Sequence, residues 1–146
     1  MSTAPGKSSL VKPSLNTKFH IDYEWWERSS PDDLRVYLRS HLPDDQRERM
    51  SFVAENHIVD FVDPNTGEVL KMDELRLAIK LAAESSDFIN QHISLVDSVF
   101  RVFLRNNNLP LSPKQLAELT GRSAETILKT LSGQRIYQGI RPYLKI

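Results

Sequence analysis

The chain has no cysteine in its 146 residues. Disulfides, thiolate zinc sites and cysteine nucleophiles are therefore excluded, and the redox compartment is left open. Glycine is scarce as well. The five present form neither GxGxxG nor GxxxxGK, so no glycine-rich phosphate loop is available. No apolar run approaches the roughly 20 residues that a membrane-crossing helix needs. No membrane partner is expected. The first residues hold no apolar signal core, so the expected location is cytoplasmic. Apolar residues at 40% and charged residues at 26% fit an ordinary globular chain. A chain of this length can bury one core, or two small ones.

Net charge is also absent, with 19 Lys and Arg against 19 Asp and Glu, but the balance is uneven along the chain. Residues 1–18 carry three lysines and no acid, a formal +3. Residues 19–90 carry 8 basic and 16 acidic side chains, −8, and residues 91–146 carry 8 and 3, +5. An acidic middle and a basic end suggest two surfaces with different partners.

Catalytic groupings are missing too. No two of the four histidines, His20, His41, His57 and His92, stand at helical metal spacing. His20 and Asp22 would share one face of a strand, read most simply as a solvent-facing pair. The acidic pairs at 32–33, 44–45 and 73–74 fall at helix starts, where the helix dipole accounts for them. No enzyme, cofactor, metal or small-molecule substrate is expected.

Local patterns set out the elements. Residues 1–18 are rich in Ser, Pro and Lys and read as a flexible basic tail. Phe19, Ile21 and Tyr23 alternate with His20, Asp22 and Glu24, which predicts a strand over 19–24. Trp25 and Trp26 end it, as a core aromatic cluster or a surface for a protein partner. Ser30, Pro31, Asp32 and Asp33 mark a helix start, with Leu34, Leu38 and Leu42 on one face. Pro43 ends that helix and opens a short one. Two apolar runs around "DPNTG" predict a β-hairpin, 57–63 and 68–72. With 19–24 this hairpin would make a three-stranded sheet. Asp73 would cap a long, well-buried helix reaching to about residue 90, and Ser94 with Asp97 a helix that "NNN" at 106–108 stops.

The stretch "LSPKQLAELTGRSAETILKTLSG" holds the densest signals. Ser112 would cap one helix, with Pro113 in its first turn, and Leu116, Ala117 and Leu119 would pack inward. Gly121 stands where the helix must end with positive φ, and Ser123 would cap the next helix, with Ile127 and Leu131 on its inner face. Leu116, Ala117, Leu119, Gly121, Ser123, Thr126, Ile127 and Leu131 fill a pattern that resembles the helix-turn-helix corner of winged-helix domains, as in catabolite-activator-type regulators. The resemblance covers about 50 residues of the 146 and does not extend to residues 1–90.

That resemblance implies duplex DNA as the partner and a small transcription regulator as the function. The second helix would enter the major groove, exposing Ser123, Glu125, Thr126, Lys129 and Ser132. Lys129 would meet a guanine edge or a phosphate, and Glu125 a cytosine amino group. Lys114 and Gln115, with Arg122 at the turn, would hold backbone phosphates. Two strands at 135–137 and 140–143 would form a wing, placing Arg135, Arg141 and Lys145 on phosphate or in the minor groove. Leu128, toward the exposed side, favours a protein interface instead. The alternative is thus a non-catalytic adaptor subunit of a larger machine, for example one that handles nucleic acid. It would dock on protein through Leu128 and the wing, with Trp25, Trp26 and the hairpin docking elsewhere. In the DNA reading the acidic part would bind a protein partner or mediate self-association. The expected fold is α+β: a tail over 1–18, an acidic sheet-and-helix region over 19–90 with a hairpin at 57–72, and a winged helix-turn-helix over 91–146.

Overall fold

A computed structural model describes residues 12–51 and 57–144. Among these the fold is α+β, with seven helices and two separate two-stranded antiparallel sheets. The elements in order are β1 (Phe19–Ile21), α1 (Tyr23–Ser29), α2 (Pro31–Arg39), α3 (Asp44–Met50), β2 (Ile58–Val62), β3 (Val69–Asp73), α4 (Glu74–Ala82), α5 (Leu95–Arg105), α6 (Pro113–Thr120), α7 (Ala124–Leu131) and β4 (Ile140–Pro142). They fall into two compact units, one of Met1–Tyr23 with Ile89–Ile146, the other of Glu24–Phe88. No described helix is long and apolar enough to cross a membrane.

The first unit is built on α5. Its inner face is Val99, Phe100, Val102 and Phe103, all buried, as expected of a strongly amphipathic helix. α6 packs on α5 and α7 packs on α6. Leu116, Ile127 and Leu131 close the core between them. β1 lies beside α5 and pairs with β4, in the register Phe19↔Pro142, His20↔Arg141 and Ile21↔Ile140. The pleat sends Phe19, Ile21 and Ile140 into the core and leaves His20 and Arg141 on the other face.

This pairing overturns two expectations. The strand at 19–21 joins β4 rather than the 57–72 hairpin, so no three-stranded sheet forms. The wing hairpin does not form either, because 135–137 is irregular and β4 takes β1 as its partner. Burial explains the choice. β1 brings Phe19 and Ile21 beside Ile140, whereas Ile136 is only half-buried in the segment that would have been the other wing strand. The expected "QG" turn is present all the same: Gln138 and Gly139 both have positive φ, and Ile140 N–H donates to Tyr137 O at 3.0 Å.

The asparagine run stops α5 as expected. Asn107 and Asn108 take φ of 62° and 59°, which asparagine tolerates better than most residues. Asn108 then does more. Its Oδ1 accepts from Ile21 N–H and its Nδ2 donates to Ile21 O, both at 2.8 Å. The amide side chain thus acts as a one-residue strand beside β1.

The second unit holds α1 from Glu24 onward, α2, α3, α4 and the hairpin. Val62 pairs with Val69 at its turn end and Ile58 with Asp73 at its open end. α4 packs on both strands and on α2. Leu38, Leu42, Met50, Leu75, Ala78, Ile79 and Trp26 are buried.

Three expectations fail in this unit. Residues 23–26 are helical, so the strand expected over 19–24 is only three residues long. The long helix expected from Asp73 ends at Ala82, and Leu81 on it is 50% exposed. Two serines and Asp87 follow within five residues, side chains that offer the backbone turns in place of helix. Asp73 makes no side-chain cap bond either. Its Oδ2 instead accepts from Arg35 at 2.9 Å, a part-buried pair linking β3 to α2.

Candidate nucleic-acid interface

The corner between α6 and α7 is closed by local bonds. Ser112 Oγ accepts from Gln115 N–H at 3.3 Å, and Gln115 Oε1 accepts from Ser112 N–H at 2.9 Å. This is a complete capping box, which satisfies two otherwise orphaned donors. Pro113 fills the first turn and is buried. Gly121 ends α6 in the left-handed region at φ 73°, and its N–H donates to Ala117 O. A Cβ there would lie 2.9 Å from Gln91 Nε2, the mobile end of a side chain that can move aside, so it is the backbone conformation that requires glycine. Ser123 Oγ accepts from Thr126 N–H and starts α7.

α7 therefore has a fixed inner face of Ile127 and Leu131. Ser123, Glu125, Thr126, Lys129 and Ser132, the residues expected to face a ligand, are all exposed. Leu119, expected inside, is 53% exposed on α6 instead. It lies three residues from Leu116, and Leu116 alone of the two reaches the core.

The other expected contacts are placed differently. Arg122 turns inward: its Nη2 donates to Ile93 O and lies 3.4 Å from the buried Ser98 Oγ. It ties the turn to the start of α5 and is not free for a phosphate. Gln115 is exposed but its Oε1 is engaged in the capping box. Lys114 has an exposed side chain, while its N–H donates to Leu15 O at 3.4 Å. Arg135 is exposed and lies over the Tyr137 ring, 5.0 Å from its centroid. Arg141 pairs with Asp22 at 3.2 Å and stands opposite His20. Lys145 lies outside the described residues.

Burial holds the His20 imidazole below its ordinary pKa; Asp22 pulls it up and Arg141 pushes it down. Tyr143 meets the ring edge-on at 5.1 Å. His20 and Asp22 are thus part of a cluster with Arg141 rather than an isolated solvent-facing pair.

The residues expected to bind a protein partner also divide. Trp26 is 4% exposed and stacks on Tyr37 with ring centroids 5.6 Å apart. It is a core residue, which corrects its assignment to a partner surface. Trp25 is half-buried and meets Trp26 edge-on at 5.2 Å. Leu128 is half-buried and lines a cleft with Pro13 and Leu15.

Those last two residues come from a segment expected to be a loose tail. Within it, residues 14–17 form a turn: Thr17 N–H donates to Ser14 O at 3.0 Å, and Ser14 N–H to Thr17 Oγ1 at 2.8 Å. The chain then passes directly into β1, where Phe19 exchanges two backbone bonds with Leu111. The spacing of Ser14, Asn16 and Thr17 was the available sequence signal, because such side chains bond their own backbone two or three residues away.

No metal-holding group of three or more His, Asp or Glu exists among the described residues. Comparison with protein-family models, with curated proteins and with solved structures finds no match for this chain.

Proposed function

We propose that the chain binds duplex DNA, with the outward face of α7 in the major groove, and acts as a small transcription regulator. The observation that carries this reading is the polar, exposed face of α7 on a strongly basic unit. Met1–Tyr23 with Ile89–Ile146 holds 11 Lys and Arg against 4 Asp and Glu, a formal +7. Such a charge favours a polyanion over most protein partners. Leu128 is half-buried and shares its cleft with Pro13 and Leu15 of its own unit, which weakens the argument for α7 as a protein dock.

In this reading Ser123, Glu125 and Thr126 face base edges and Lys129 faces a base edge or a phosphate. Lys114 and Arg135 supply further phosphate contacts. Arg122 and Arg141 are structural, holding the turn and the β1–β4 sheet. A gel shift with random-sequence duplexes across a salt series tests it. Retarded complexes that weaken steeply as salt rises are expected. No retardation above background at low salt would end the reading.

A second reading is favoured by the other unit. Ile58, Val62 and Val69 are each more than half exposed on one face of the hairpin. Exposed apolar residues of this kind, with the exposed Asp60–Lys71 ion pair between Ile58 and the two valines, suit a protein interface. The acidic unit would then dock on a protein partner, and the chain would serve as an adaptor. A stoichiometric, nuclease-insensitive complex that Val62→Asp abolishes would support it. A chain that stays free of protein partners would not.

A further inference from the structure

The segment ahead of β1 runs beside the outward face of α7. Lys12, Pro13 and Leu15 line one side of an open cleft of about 290 Å³, and Glu125, Leu128 and Lys129 line the other. Two features hold the segment there. The Ser14–Thr17 turn folds it, and Leu15 O accepts the Lys114 N–H at the start of α6. The same bond closes the α6 start to a phosphate, since Gln115 N–H is already taken by Ser112. The backbone N–H groups that would have held a phosphate there are taken by the chain itself, while the Lys114 side chain stays exposed.

The chemistry of the cleft indicates what replaces it. Its floor is aliphatic, from Pro13, Leu15 and Leu128, and an exposed lysine stands on each side. Among the described residues, Glu125 is the only acid lining it. Neither lysine is engaged in an ion pair among the described residues. A nucleic-acid backbone alternates anionic phosphates with apolar sugar faces, which complements this arrangement. The lysines lie on the unit with formal charge +7, so the long-range field attracts the same partner.

We infer that this cleft is the track for one DNA strand's backbone, with Lys12 and Lys129 gripping its phosphates from the two sides. The inference rests on the DNA-binding reading. It adds a contact residue outside the helix-turn-helix and gives Lys129 a phosphate rather than a base. Sequence preference then falls to Ser123, Glu125 and Thr126.

The test uses the full chain, a duplex selected for tight binding and a random duplex. Affinities of wild type, Lys12→Ala, Lys129→Ala and Lys12→Arg are measured across a salt series. Each alanine variant is expected to weaken binding to both duplexes by the same factor. Each should also lower the slope of log affinity against log salt by about 1, the signature of one lost phosphate contact. Lys12→Arg should keep the wild-type slope. Unchanged affinity and slope for Lys12→Ala, with wild type binding normally, would overturn the track while leaving the DNA reading intact. A Lys129→Ala variant that changes preference at one base position with its slope unchanged would also overturn it. Absence of wild-type binding to either duplex would remove the reading and the track together.

Discussion

The same helix-start signals act differently in the two units. In the basic unit Ser94, Ser112 and Ser123 all close their helices, each accepting the N–H three residues on. In the acidic unit neither expected cap does so. Ser30 and Asp73 both precede helices and neither makes a side-chain cap bond. The backbone is one reason. The three working caps have φ between −63° and −83° and extended ψ, while Ser30 sits at φ −167° and ψ 89°. Orientation is the other, since Arg35 holds Oδ2 of Asp73 and the carboxylate's Oδ1 is left without a hydrogen bond rather than turned to the helix start. A capping residue in sequence states only that a bond is possible. Whether it forms depends on the entry angle of the chain and on rival partners.

Charge divides the units as well. The first holds a formal +7, and Glu24–Phe88 holds 8 Lys and Arg against 15 Asp and Glu, −7. The split by fold is cleaner than the split along the sequence, because Lys12 and Lys18 lead into β1, which pairs with β4 of the C-terminal basic region. One unit presents a basic, locally fastened corner and the other an acidic body with an apolar hairpin face. Their partners should differ accordingly.

Substitutions test this contrast. The largest effect is expected in the core of the basic unit. Phe100→Ala should cost about 3–5 kcal/mol in denaturant unfolding, because Phe100 is fully buried. Val69→Thr on the hairpin face should change stability by less than about 0.5 kcal/mol, as Val69 is largely exposed. Equal costs would mean that the hairpin face is covered in solution.

Gly121→Ala should come next, at about 1–2 kcal/mol, from forcing an L-residue into the left-handed region. The caps give the sharpest contrast between units. Ser112→Ala should cost about 1 kcal/mol, while Ser30→Ala should fall within about 0.5 kcal/mol of wild type. Thermal or chemical unfolding of the pair measures both. A Ser30→Ala loss as large as that of Ser112→Ala would show that the difference in cap bonding has no energetic counterpart.

The smallest effect concerns pH. The folded-state pKa of His20 is lowered, chiefly by burial. Its contribution to stability is therefore complete above the ordinary histidine value of about 6.5 and declines as pH falls below it, because the unfolded chain takes up the proton more readily. Between about pH 7.5 and about pH 5.5, wild type should lose slightly more stability than His20→Gln. A larger loss in the variant would reverse the sign and contradict burial as the dominant cause.

Features carried by nearest neighbours were legible in the sequence. The "DPNTG" hairpin, the asparagine stop after α5 and the Ser112–Gly121–Ser123 corner all appear where local chemistry placed them. What escaped depends on distant partners. The β1–β4 pairing joins residues about 120 positions apart, and no local pattern distinguishes β4 or the hairpin as the partner of Phe19 and Ile21. The alternation of Phe19, Ile21 and Tyr23 suggested a strand that continues, yet α1 begins at Tyr23. Arg122 looked like a surface cation beside the turn. Only the fold brings Ile93 O within its reach. The exposed face of α7 was readable from helical spacing, whereas the Lys12 segment beside it was not.

The central claim is that the outward face of α7 meets duplex DNA. Thr126→Asp tests it most directly. Thr126 is exposed in the first turn of α7, where a carboxylate suits the helix dipole, so the fold should keep or slightly raise its melting temperature. Fluorescence anisotropy with a labelled duplex at low salt should show wild-type binding and near-complete loss in the variant, as the new carboxylate would be brought into an anionic groove. Binding by a folded Thr126→Asp variant at wild-type strength would contradict the account.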